Sequence, residues 1–148
     1  MRGFNDTATA AGTKVTGGQS VINEWPIIGG VANVVLPETE FIRPVHGKPG
    51  NVLVLTKPLG TQVAVNLAEW HRKGSKEPEK FEKEKKWLDE SMKVVDEDTL
   101  IKAYETACES MSRLNLNAAK LLHKYGSLGA TDVTGFGILG HAENLAGV

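Results

Sequence analysis

From Asp96 to Tyr125 apolar residues recur at helical spacing: Leu100, Tyr104, Ala107 with Cys108, Met111, Leu114, Ala118, Leu121 and Leu122. Such a stripe commits this part of the chain to an amphipathic helix laid against a core. Asp96 is placed to cap it, Glu97 and Asp98 suit the positive end of its dipole, and Gly126 can stop it. Cys108 falls on the stripe and so reads as a buried, inert thiol rather than a nucleophile. His123, close to the end of the pattern, suits the negative pole of a helix.

Glycine and proline punctuate the remainder. Phe4 to Ala11 reads as the last turns of a helix, with Gly12 as its C′ residue. Val15-Thr16, Ile27-Ile28 and Val31 to Val35 read as strands, interrupted by Gly17-Gly18 and Gly29-Gly30. Pro37 to Gly50 is turn-rich and is the candidate domain boundary. Asn51 to Thr56 reads as a short strand stopped by Lys57-Pro58-Leu59-Gly60, and Gly60 to Trp70 as a helix showing Val63, Leu67 and Trp70 on one face. Lys57 could touch a phosphate, but a lysine at a strand end is ordinarily just solvated. Arg72 to Lys93 mixes lysine and glutamate densely and reads as a solvated loop and surface helix, pinned by Trp87 and Leu88; a partner-binding arm is the other reading. Gly137 to Val148 begins like a helix and stops with no partner segment after it. The chain therefore reads as an internal fragment, and its unpartnered apolar faces are expected to drive association.

Composition narrows the function classes. With 148 residues the chain suits one domain or two small pieces. Its 17 basic and 18 acidic side chains, for a net charge of -1, offer no electrostatic case for nonspecific nucleic-acid binding. One cysteine excludes a disulfide framework and a multi-thiolate zinc site. No apolar run approaches the length of about 20 residues that a membrane helix needs, and the first residues lack the apolar stretch of a secretory signal. A soluble, cytoplasmic protein is expected.

The most pointed chemistry lies in Ala130-Thr131-Asp132-Val133-Thr134-Gly135-Phe136-Gly137-Ile138-Leu139-Gly140-His141. The segment contains GxGxxG at Gly135, Gly137 and Gly140, but no six-residue apolar strand precedes it, as a dinucleotide fold would require. Asp132 instead precedes a glycine-dense turn that opens a helix. Backbone N–H groups at such a helix start attract phosphate oxygens, and a carboxylate just upstream is a hard ligand for the accompanying magnesium. Thr131 and Thr134 could add hydroxyl contacts. Against this stands the plainer reading, in which Asp132 merely caps the turn. Gly17-Gly18-Gln19-Ser20 is a second cradle for phosphate or ribose, or simply a turn or bulge. His46, His71, His123 and His141 show no metal-ligand spacing, and His141 reads as a packing residue.

Three segments in this order carry a resemblance: Val15 to Pro26 with its Gly17-Gly18-Gln19-Ser20, Val54 to Val65 around Lys57-Pro58-Leu59-Gly60-Thr61, and Ala130 to His141. The chain resembles the selenophosphate synthetase (selenide, water dikinase) family, most of all its eukaryotic branch. The resemblance spans nearly the whole chain, although Arg72 to Lys93 is longer than the family leads one to expect. It implies an α/β (α+β) fold related to aminoimidazole ribonucleotide synthetase, with two domains and a homodimer built on strands of the first. Residues 1–43 would form the rear of the N-terminal ATP-binding and dimerisation domain, 44–50 a linker, and 51–148 the first part of the C-terminal domain. The implied reaction converts selenide, ATP and water to selenophosphate, AMP and phosphate, with Mg2+ and a potassium-like K+ ion assisting. Gly17, Gly18, Gln19 and Ser20 match the family's nucleotide-contacting turn, and Asp132 matches its magnesium-binding aspartate. The family's catalytic cysteine or selenocysteine and lysine would lie upstream of Met1, and Cys108 does not replace them. This chain alone is therefore expected to lack dikinase activity. A non-catalytic, nucleotide-binding regulatory homodimer of the same family is the alternative. The string Thr131 to His141 argues against a third reading, thiamine-phosphate kinase or aminoimidazole ribonucleotide synthetase itself.

Overall fold

The computed structural model describes residues 2–76 and 82–147. The helices among these residues are α1 (Arg2–Ala10), α2 (Thr61–Lys76), α3 (Glu82–Ser91), α4 (Glu97–Ser112), α5 (Leu116–Lys124) and α6 (Gly137–Ala146), with a 3-10 turn at Glu38–Glu40. The chain divides into two units, Gly50–Arg113 and a second made of Met1–Pro49 with Leu114–Val148.

In the Gly50–Arg113 unit, α2 packs on both α4 and α3. The sequence signals for α4 operate as local chemistry dictates. Asp96 sits in extended backbone and its carboxylate accepts from the Thr99 N–H at 2.7 Å, pairing a donor the first turn would otherwise leave open. Leu100 and Ala107 of α4 and Leu88 of α3 are buried, whereas Trp87 stays largely exposed, so only one of the two residues expected to pin the charged stretch does so. Residues 77–81 of that stretch lie outside the described residues. His71 on α2 reaches Glu97 on α4 at 3.6 Å. Cys108 is half-buried and shares a hydrogen bond with Tyr104, which is the first cause pushing the Tyr104 hydroxyl above its ordinary value. Lys57 corrects its expectation of plain solvation. Half-buried, it donates from Nζ to the Arg113 carbonyl at 2.6 Å, at the C-terminal end of α4 where a cation offsets the helix dipole.

The Thr99 side chain, and then its backbone N–H, hold the Asp96 carboxyl below the usual carboxylate range. A carboxyl depressed in the folded state adds stability above its unfolded value, and that stability is lost as pH falls through the folded value. Asp96→Ala is expected to lower the melting temperature at pH 7 by a few degrees and to flatten the acid limb of the stability profile. Asp96→Asn, which still caps, should recover most of the melting temperature without the acid dependence. Thermal melts between pH 2 and 7 read both.

The helix expected over Asp96 to Tyr125 is two helices. Arg113 turns to extended backbone (φ −71°, ψ 123°), and α5 restarts from Asn115. Ser112 Oγ bonds back to the Glu109 carbonyl at 2.9 Å, and asparagine at 115 and 117 propagates a helix poorly. The apolar stripe runs across the break, but Tyr104, Met111 and Leu121 remain exposed. Gly126, at φ 60°, ends α5 as expected.

In the other unit, Gly12 closes α1 at φ 77°. The expected strands at 15–16, 27–28 and 31–35, and the one at 51–56 in the other unit, are not formed, and no strand occurs among the described residues. Val34, Val35, Val52 and Val54 are each at least 69% exposed. A β-branched run becomes a strand only when a neighbouring strand takes up its N–H and C=O groups, and these runs meet none. What ties this unit together is residues 43–47. Gly47 N–H donates to the Leu145 carbonyl at 2.9 Å, and the Arg43 carbonyl accepts from Ala130 N–H at 3.2 Å.

Gly129 sits inside that arrangement. A Cβ there would lie 2.6 Å from the Val45 carbonyl oxygen and 2.9 Å from Leu145 Cδ1, closer than atoms of those kinds tolerate. Gly129→Ala should destabilise this unit by about 1–3 kcal/mol, because it is backbone that must give way. Gly29→Ala, whose Cβ would meet nothing within 4 Å, is the matched control and should leave denaturant midpoints unmoved.

Candidate functional site

The segment that carries the pointed chemistry leaves this 43–47 anchor directly, through Gly129 and Ala130. It then turns at Thr134, whose carbonyl accepts from the Gly137 N–H at 3.0 Å, with Gly137 at φ 72°. A side chain is strained at that φ, which accounts for glycine at this point. α6 starts there with Phe136 as its N-cap residue, and no side chain caps it. Helix after glycines is thus present, whereas the preceding strand of a dinucleotide fold is absent among the described residues.

His141, one turn into α6, is 5% exposed and is the buried polar centre of the site. Its Nε2 accepts from the Thr134 backbone N–H at 3.0 Å, and the Thr134 hydroxyl lies 3.2 Å from the same nitrogen. A backbone N–H can only donate, so Nε2 is the unprotonated nitrogen and a neutral ring carries its proton on Nδ1. Nδ1 faces Asp132 Oδ1 at 3.8 Å. Phe136 stacks obliquely on the ring, with centroids 5.4 Å apart.

Asp132 itself is 70% exposed on its side chain. Thr131 Oγ1 stands 3.4 Å from its Oδ1. The carboxylate caps neither the turn nor α6, since the turn closes through backbone atoms and α6 has no side-chain cap. It is therefore a charged oxygen pair held beside a helix start and open to solvent. No group of three or more His, Cys, Asp or Glu side chains able to hold a metal occurs among the described residues. Among them the Asp132 carboxylate stands without a second carboxylate, thiol or imidazole pair that would close a metal cage around it.

Gly17, Gly18, Gln19 and Ser20 lie in exposed, non-helical backbone, with Gly18 at φ 144°. Among the described residues no hydrogen bond joins them to the Asp132 segment. His123 does lie in the last turn of α5, as expected. His141 packs as the sequence led one to expect, and what the sequence did not show is its hydrogen bond to Thr134. Spacing to other ligands was the wrong signal; the informative one was a histidine seven residues after a threonine, across a glycine-dense turn. No helix among the described residues is long and apolar enough to cross a membrane.

Known proteins place this geometry in a family. Residues 48–148 match the family model described as AIR synthase related protein, C-terminal domain. The chain is 51% identical over 146 residues to a selenide, water dikinase of Dictyostelium discoideum, covering 99% of this chain and 37% of that protein. It is 52% identical over 146 residues to selenide, water dikinase 3 of Danio rerio, and 50% identical over 146 residues to selenide, water dikinase 2 of Homo sapiens, covering 30% of each. The chain thus spans about a third of the length of these curated relatives. No solved structure matches it. With more than half of its residues matched by the C-terminal domain model and its Asp132 segment inside that match, the chain belongs to the AIR synthase related family.

Proposed function

We propose that this chain is a section of a selenide, water dikinase, an enzyme that converts ATP, selenide and water to selenophosphate, AMP and phosphate. The observation that carries the reading is identity of 50% or more over 98–100% of the chain to proteins of that name in widely separated eukaryotes. The site chemistry agrees with it. Phosphoryl transfer relies on positioning and charge neutralisation, and an exposed carboxylate beside a helix start supplies one part of that. Asp132 is one ligand of a magnesium ion, the remaining positions being filled by phosphate oxygens, water and carboxylates from elsewhere in the enzyme. When bound, the ion offsets the charge of the polyphosphate. Gly17, Gly18, Gln19 and Ser20 contact the nucleotide; their exposure and the Gly18 backbone suit close approach of a ligand.

The same reading extends to a cytoplasmic homodimer with a two-domain α/β architecture and K+ as an assisting ion. Residues 1–43 belong to its N-terminal domain, 44–50 link, and 51–148 begin its C-terminal domain; the family match starting at residue 48 supports that boundary. Exchanging this chain for the matching third of the Dictyostelium relative tests the proposal. Selenide-dependent AMP release by the chimera is expected, and none by the chain alone. A folded chimera that binds ATP and Mg2+ but releases no AMP would favour the non-catalytic, nucleotide-binding member of the family instead.

A further inference from the structure

We propose that His141 is a positioning residue that fixes where the Asp132 carboxylate stands, by clamping the turn between them. The inference rests on the reading of Asp132 as a cation ligand and names what holds that ligand in place. Three observations converge on the ring. It is 5% exposed, although nothing apolar requires a histidine there. Its Nε2 takes the Thr134 N–H at 3.0 Å, a backbone donor in the middle of a turn whose other N–H groups have no strand to bond. Its Nδ1 points to Asp132 Oδ1 at 3.8 Å.

The two nitrogens therefore do different work. Nε2 determines the path of the chain from Thr134 to Gly137, because a turn with one internal backbone bond, Gly137 N–H to the Thr134 carbonyl at 3.0 Å, is otherwise free to open. Nδ1–H lies beyond hydrogen-bond length from the carboxylate, so it biases the Asp132 rotamer through the N–H dipole of the neutral ring rather than by a direct bond. Phe136, 5.4 Å away on the same turn, limits rotation of the ring. Since α6 carries the histidine, the turn and the carboxylate are tied to the helix and not to one another alone. Partners that orient a metal ligand typically change affinity by about 10- to 100-fold when removed.

Two isosteric variants separate the nitrogens. His141→Gln can place an acceptor where Nε2 stands, and His141→Asn can place a donor where Nδ1 stands. In the 148-residue chain, 15N NMR should show Nδ1 protonated, Nε2 unprotonated, and a scalar coupling between Thr134 N and His141 Nε2 across the hydrogen bond. Exchange of the Thr134 amide should be roughly five- to tenfold faster in His141→Asn, and near wild type in His141→Gln. In the chimeric dikinase with ATP bound, where the other ligands are present, titration with Mn2+ as the probe ion should give about tenfold weaker binding in His141→Asn and partial rescue in His141→Gln. Absence of the coupling, a proton on Nε2, or equal Mn2+ affinity in both variants and the wild type would each overturn the proposal. Asp132→Asn separates this failure from that of the underlying reading. If it leaves Mn2+ binding unchanged, Asp132 is not a ligand, and positioning of a ligand by His141 falls with it even where the coupling is seen. If it weakens binding while the His141 variants do not, only the clamp is wrong.

Discussion

Leu100→Ala is expected to destabilise the Gly50–Arg113 unit by about 2–5 kcal/mol, the range for removing a buried leucine side chain. Leu100 is 4% exposed on the face of α4, and α4 packs on α2. Among the described residues the buried apolar side chains are Leu88, Leu100 and Ala107, all in this unit. With so few groups sharing the burial, Leu100 carries a large part of what holds this unit together, although its loosely packed surroundings can close part of the gap. Typical domain stabilities are only about 5–15 kcal/mol, so the variant should be partly unfolded at 37 °C. Met111→Ala, at a position 54% exposed on α4 itself, should change stability by less than about 0.5 kcal/mol. Urea titration separates the two. The fluorescence of Trp70 and Trp87 reports this unit, whereas Trp25 lies in the other. Equal midpoints for both variants would mean that the apolar stripe of α4 does not pack as described.

What could be read from the sequence was what local chemistry decides. The Asp96 cap, the stops at Gly12 and Gly126, and the α2 helix after Gly60 each depend on a few adjacent residues, and each is present. The division of the long helix was hidden because its apolar spacing continues through Leu114 and Ala118. Only Arg113 turning extended, followed by two asparagines, marks the break. The strands failed for a different reason. Strand preference measures how well a side chain fits a half-buried pleated surface, and Val34, Val35 and Val52 to Leu55 meet no such surface among the described residues. At the site, Asp132 was visible as a charge beside a glycine turn. The role of His141 was not, because it arises only when the turn brings Thr134 N–H to within 3.0 Å of Nε2. The same turn shows why the GxGxxG string misleads: its glycines serve a backbone turn and a helix start, with no strand ahead of them.

Asp132→Asn in the chimeric dikinase should lower selenide-dependent AMP release at fixed Mg2+ by about 100-fold or more, comparable to removing one preorganised electrostatic group from a phosphoryl- or acyl-transfer site. The substitution keeps the volume of the side chain and leaves a carbonyl oxygen that can still face His141 Nδ1–H. Only the negative charge and one strong acceptor are lost. Because the side chain is 70% exposed and caps nothing, thermal stability should move little, which separates a lost ligand from a lost fold. A neutral amide oxygen binds a hard cation more weakly than a carboxylate, so raising Mg2+ should restore part of the rate. Asp132→Glu keeps the charge but extends it by one methylene from a turn held by His141, and should recover less than the added Mg2+ does. A rate that ignores the Asn substitution at every Mg2+ concentration would remove Asp132 from the metal site. It would leave the helix start and the Gly17–Ser20 turn as the remaining candidates for phosphate contact, to be tested by substitution in the same chimera.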